Sequence, residues 1–179
     1  VPADTPIIQL GHPVLRQVAQ PVADIHAPAV QSLIDTLIAS VKEANGVGIA
    51  APQIASSLRL FVVASRPSVR YPYAPDMAPT AMINPRVLCY GSEKVKDWEG
   101  CLSVGGLRAL VPRHQSIEVE YTDRHGQCCR QVLDGFVARI FQHELDHLDG
   151  LVFLDRVEHQ DDVFSEEEYQ QYVAARTTA

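Results

Sequence analysis

The sequence predicts a single α+β domain over residues 1–179: mainly antiparallel β-sheets packed around a central helix, with another helix in the N-terminal half and a short one near the C-terminus. Three observations carry this. Strand-like runs cluster between two helical segments and do not alternate with helices, as a parallel βαβ sheet would require. Two of those runs are joined by a turn short enough only for an antiparallel hairpin. At 179 residues the chain has one-domain length, with no internal repeat and no low-complexity stretch.

The first helix begins at Pro28, and Val30, Leu33, Ile34, Leu37, Ile38 and Val41 make one buried stripe along it. Asn45-Gly46 supplies its stop. Leu58 to Ala64 is a short apolar run suited to a buried strand. Residues 66–79 hold Pro67, Pro72, Pro75 and Pro79 with Tyr71 and Tyr73, a stiffened loop. Strand-like runs follow at Thr80–Ile83, Arg86–Tyr90 and Lys94–Trp98. Ile117, Val119 and Tyr121 alternate, and Asp123-Arg124-His125-Gly126 turns the chain into Cys128–Leu133. Asp134 is the expected cap of the central helix, which runs to about Asp149 with Gly150 as its C′ residue. Ser165-Glu166-Glu167-Glu168 is a capping box opening the terminal helix.

Composition excludes several classes. Hydrophobic residues at 46% and charged residues at 21% are globular values, so neither disorder nor a fibre is indicated. No apolar run approaches the roughly 18 residues of a membrane span. A net charge of −7 argues against direct nucleic-acid binding. From Asp155 onward seven acids face only Arg156 and Arg176, an acidic tail read as a solvated helix and loop that would repel RNA. Cys89, Cys101, Cys128 and Cys129 do not form a disulfide framework, so free thiols in a reducing compartment are expected. The chain shows no signal peptide, and its first residue is Val1. The expected location is the cytoplasm, bacterial-type, or an organelle if a leader was removed.

Chemistry concentrates in Gln142-His143-Glu144-Leu145-Asp146-His147, an HExxH motif on the central helix. Histidines four apart lie about 40° apart around a helix, so both imidazoles reach one ion. Glu144, about 60° from His147, sits where a carboxylate can handle a proton without being a ligand. A third ligand must come from elsewhere. His159 is off register, and Phe153 stands where one protease pattern needs histidine. A downstream glutamate, Glu158 or one of Glu166–Glu168, would make a zinc endopeptidase. Upstream, Cys101 in Trp98-Glu99-Gly100-Cys101-Leu102-Ser103 offers a thiolate beside two imidazoles. Spacing alone does not separate that role from a small buried hydrophobe, and a metal-stabilised interaction module without catalysis is a further alternative. Ser103 lacks a nucleophile-elbow context. His12, His26, His114, His125 and His159 read as surface or loop residues.

Gly46-Val47-Gly48-Ile49-Ala50-Ala51-Pro52-Gln53 fits a dinucleotide fingerprint only superficially, because it follows a helix and runs into Pro52. Its glycines suit close backbone approach, as at an edge that receives an extended peptide. Gln53 brings an amide N–H suited to a developing oxyanion. A helix C-cap followed by tight packing explains the glycines equally well.

Together the segments G-x-G-x-A-A-x-Q, E-G-C-L-S and Q-H-E-x-D-H-x-x-G, in this order, resemble the peptide deformylase family, and the likeness runs from about Gly11 to about Asp155. The resemblance implies Cys101, His143 and His147 as metal ligands and Glu144 as general acid/base. It implies Gln53 and the Leu102 N–H as oxyanion donors. Gly46, Val47 and Gly48, with Gly100 opposite, would form the substrate edge. Phe136 and Ile140 would wall a methionine pocket, and Arg108 would stand near its mouth. The implied ion is Fe²⁺ in cells, replaceable by Zn²⁺, Ni²⁺ or Co²⁺; the implied activity is release of formate from formyl-methionyl peptides, on nascent chains near the ribosome. Gly105-Gly106, where many members carry Pro, the Pro/Tyr-rich 66–79 loop and the acidic tail depart from the family pattern.

Overall fold

In the computed structural model, which describes residues 5–177, helix α1 (Pro28–Glu43) packs Val30, Ile34, Leu37 and Val41 onto a five-stranded antiparallel sheet. The outermost residues of the expected 1–179 span lie outside the described part. The sheet runs β1 (Gly48–Ala50), β2 (Leu60–Val63), β3 (Thr80–Tyr90), β6 (Ser116–Thr122), β7 (Cys128–Asp134) in that spatial order. A second sheet orders β4 (Lys94–Cys101), β5 (Val104–His114) and β8 (Val163–Ser165). Helix α2 (Gly135–Leu148) is the central one: ten of its fourteen residues are buried. Phe61 of β2 meets Phe141 of α2 edge-on at 5.1 Å. Gln142 ties the helix to the β5–β6 junction, accepting from the His114 N–H at 3.1 Å and donating to the His114 carbonyl at 2.9 Å.

The expected hairpin forms, pairing Ile117 with Leu133 and Tyr121 with Cys129. Asp123 Oδ1 holds its turn by accepting from the His125 and Gln127 N–H groups. All four cysteines are free. Gly150 ends α2 at φ +77, and an added Cβ would meet the Arg16 carbonyl oxygen at 2.7 Å, so both conformation and space demand glycine there.

Five expectations are corrected. The runs 80–83 and 86–90 are one strand: Asn84 takes φ +49, the register shifts, and its side-chain amide pairs with the backbone of Val22. Strand Lys94–Trp98 continues to Cys101, and β5 was not anticipated at all. Gly105-Gly106 and Pro112 dilute the β signal of β5, yet Pro112 is tolerated where it pairs with Lys96. Asp134 makes no side-chain cap. Instead Gly135 turns the chain at φ +60, and its N–H donates to the Gln115 carbonyl. The tail is docked as well as solvated: β8 pairs with β5 and helix α3 (Glu166–Thr177) buries Tyr169, while Glu167, Glu168 and residues 170–177 are exposed. Ser165 does cap α3, its Oγ accepting from the Glu168 N–H at 3.0 Å.

Candidate active site

Both sheets and α2 meet at a cleft of about 510 Å³ lined in part by Gly48, Gln53, Cys101, Ile140, His143 and Glu144. The strand β4 ends on Cys101, and α2 carries His143 and His147 one turn apart. Their donor atoms and the Cys101 sulfur all lie within 4.8 Å of one another, the one such trio among the described residues. Cys101 Sγ stands 3.3 Å from His147 Nε2 and accepts from the Ser103 N–H at 3.4 Å. His143 Nδ1 donates to Glu99 Oε1 at 2.7 Å, which leaves its Nε2 lone pair free to bind an ion. Glu144 Oε2 and His147 Nδ1 are buried without a protein partner. A soft thiolate, two imidazoles and orphaned polar atoms fit a divalent transition metal.

Behind the trio runs a buried ladder of charge that the sequence did not reveal. Glu99, 4% exposed, receives both arms of Arg113 at 2.9 and 3.0 Å and a bond from Arg139 at 2.7 Å. Arg113 also reaches Asp146 at 2.6 Å, and Arg156 closes on Asp146 from outside. Burial alone would raise the Glu99 carboxyl, but the Arg113 guanidinium and the His143 bond hold it well below the carboxylate range. Glu144 has no such support. Burial outweighs the pull of His143 and pushes it up to about 7.

The glycines of the 46–48 segment are explained by contact. A Cβ on Gly48 would stand 2.7 Å from Glu144 Oε1, and one on Gly46 3.1 Å from Leu102 Cδ1. β1 is the outer strand of its sheet, so its free edge borders the cleft. The Gln53 amide is oriented by the Ala50 N–H, which donates to its Oε1 at 2.9 Å. Its Nε2 therefore points at Ser103 Oγ (3.1 Å) and Cys101 Sγ (3.7 Å). Phe136 and Ile140 line the cleft one helical turn apart, and the Phe136 ring packs at a tilt of 41° against Tyr71 of the 66–79 loop, centroids 4.7 Å apart. Arg108 is 5% exposed, wedged against Gly100, donating to Tyr71 Oη at 3.2 Å and Glu166 Oε2 at 3.0 Å. Leu102 also borders the cleft. Glu166 is thus engaged by Arg108, and Glu158 lies against Lys96 at 3.5 Å. Neither joins the histidines, which removes the basis for the endopeptidase alternative.

A three-donor cluster with an adjacent carboxylate that is not one of the donors is the composition of a metal-dependent hydrolase centre. The polypeptide deformylase family model matches residues 4–163. A Nostoc sp. protein named peptide deformylase 2 is 63% identical over 172 residues, 96% of each chain. One of that name from Shewanella oneidensis is 46% identical over 151 residues, 84% of this chain and 83% of its own. A class I type b peptide deformylase structure from Acinetobacter baumannii with Met-Ala-Ser bound superposes with a TM-score of 0.83 at 42% identity, covering 85% of this chain and 97% of that one. The chain belongs to the polypeptide deformylase family.

Proposed function

We propose that this chain removes the formyl group from peptides beginning with formyl-methionine and releases formate. The observation that carries the reading is the convergence of Cys101, His143 and His147 on one point beside Glu144, under the free edge of β1. Cys101, His143 and His147 are the assigned ligands, and Fe²⁺ is the assigned ion in cells, with Zn²⁺, Ni²⁺ or Co²⁺ as substitutes. Such an ion supplies Lewis acidity, lowering the pKa of water and polarising the carbonyl.

The chain's own groups do the rest. The substrate backbone pairs with Gly46–Gly48 as an added strand, facing Gly100 across the cleft. The methionine side chain lies against Phe136 and Ile140, with Arg108 at the mouth. Glu144 takes the proton of the attacking water and returns it to the leaving amine, a task suited to a buried carboxylate beside the ligand trio with one oxygen left without a protein partner. Gln53 Nε2 and the Leu102 N–H donate to the developing oxyanion. The formyl carbon carries only hydrogen, so a tight site here would admit it and exclude acetyl; equal rates on formyl and acetyl peptides would refute that selectivity. The assigned setting is the bacterial cytoplasm, on nascent chains near the ribosome, without direct nucleic-acid contact. No helix among the described residues is long and apolar enough to cross a membrane.

The test is formate release from formyl-Met-Ala-Ser by metal-loaded protein, with and without chelator, beside elemental analysis. Turnover that chelation abolishes is expected; a metal-loaded chain that releases no formate overturns the reading. Glu144→Gln should retain the metal, since it is not a donor, yet lose about 10²–10⁴ in kcat. Unchanged kcat would remove Glu144 from its role.

A further inference from the structure

The two oxyanion donors assigned above come from different sheets: Gln53 follows β1 in the turn Ala51–Ile54, and Leu102 sits between β4 and β5. Their relative placement needs something that spans both. The described N-terminal segment does so. Within four residues it reaches Gln53, Leu102 and Ser103: the Ile8 N–H donates to the Gln53 carbonyl at 2.8 Å, the Leu10 N–H to the Ser103 carbonyl at 2.8 Å, and Gln9 Nε2 to the Leu102 carbonyl at 2.9 Å. Ile8 and Leu10 are two apart, the spacing at which an extended chain points successive N–H groups to one side. Ile7, just before them, packs into the same apolar cluster as Leu102.

We propose that residues Ile7–Leu10 are a strap that sets the oxyanion donors in register, and that Gln9 is a positioning residue for them. The peptide unit between Leu102 and Ser103 is held at both ends. Its oxygen accepts from Gln9, and its N–H donates to Cys101 Sγ at 3.4 Å. Rotation of that plane would release the sulfur bond, and it would turn the chain on the carboxyl side of the Leu102 donor. Donation by Gln9 to the oxygen also polarises the unit and strengthens its N–H toward the sulfur. Gln9 is exposed, so its conventional reading is a solvated surface residue. Its bond to the Leu102 carbonyl, flanked by those of the Ile8 and Leu10 N–H groups, gives it another task. Neighbouring Gly105 leaves it space, the nearest atom to a Cβ there being Gln9 Oε1 at 3.7 Å.

This inference rests on the proposed oxyanion roles, and its test separates the two. Gln9→Met keeps the length and loses the donor; Gln9→Lys keeps a donor. Each is compared with the unmodified chain in steady-state turnover of formyl-Met-Ala-Ser and in amide hydrogen exchange across residues 101–104. The expected result for Gln9→Met is a fall in kcat of about three- to tenfold, less than the 10²–10³ typical of losing an oxyanion donor outright, with KM held within about twofold. Faster exchange at residues 102 and 103 should accompany it, and Gln9→Lys should restore most of kcat. The strap is overturned by unchanged kcat and exchange in Gln9→Met, by a loss confined to KM, or by a kcat loss that Gln9→Lys does not restore. Failure of the unmodified chain to release formate is a different result and strikes the functional reading; the exchange measurement still decides the strap.

Discussion

A single added carbon at Gly48 would come within 2.7 Å of Glu144 Oε1 and 2.8 Å of Ile140 Cγ2. Neither neighbour has room to retreat, since Glu144 is 3% and Ile140 4% exposed. Gly48→Ala therefore displaces either the β1 edge or the carboxylate. Overpacking of this kind costs about 1–3 kcal/mol, visible as a lower denaturant midpoint. Formate release should fall at least about tenfold, because misplacement by an ångström is costly in catalysis. Full turnover in Gly48→Ala would show that β1 yields. The residues singled out in the sequence were of two sorts: His143, Glu144 and His147 stand out because HExxH fixes their spacing on a helix, whereas Cys101 and Gln53 were assigned their roles only through the family resemblance. Glu99, Arg113, Arg139 and Asp146 were not legible. Charged residues in strands and helices read as solvent-facing, and their partners lie 14, 33 and 40 residues away, a matter of tertiary packing alone.

At the scale of elements, α1, β2, the β6–β7 hairpin and α2 were readable from periodicity, whereas β5 and the docking of α3 were not. An amphipathic stripe announces a helix's buried face, but α3 has no such stripe and turns inward on aromatics alone. Trp98 of β4 receives Tyr169 edge-on at 4.9 Å and Tyr172 at 5.3 Å, with Phe164 of β8 at 4.9 Å. The guanidinium of Arg108 lies 5.2 Å over the Tyr169 ring. Through that stack the C-terminal helix supports a wall of the cleft. Tyr169→Ala should cost about 3 kcal/mol, comparable to other buried aromatic truncations. In a chain of this size that is a fall of about 6–12 °C in melting temperature. A shift under about 2 °C would mean that α3 contributes no anchorage.

For the molecule as a whole, stability depends on joining parts distant in sequence. Arg16, near the start of the described chain, meets Asp155, just beyond α2, at 2.6 Å. Partial burial would raise the Asp155 carboxyl, but the Arg16 bond and the Val152 N–H outweigh it and lower it. A carboxyl lowered in the folded state binds fewer protons there than in the unfolded chain, so its stabilisation is present above about pH 4 and is lost as pH falls through the folded value. Arg16→Gln should therefore flatten the acid-side decline of melting temperature, modestly, because the pair is partly exposed. An unchanged acid slope would leave the pair without a role in the decline.

The assigned metal ligands perform a similar junction at the centre. Cys101 closes β4 of the three-stranded sheet, and the histidines belong to α2, which also packs against the five-stranded sheet. An ion bound only by the folded chain adds about 2.7 kcal/mol when present at a hundred times its dissociation constant. Removing it should thus lower the melting temperature by about 5–10 °C, and restoring a divalent ion should recover the loss. Cys101→Ala should melt at the same temperature with and without chelator. If chelation instead leaves the intact chain's melting curve in place, the packing of α2 between the sheets suffices by itself, and the trio does not join the two sheets through a bound ion.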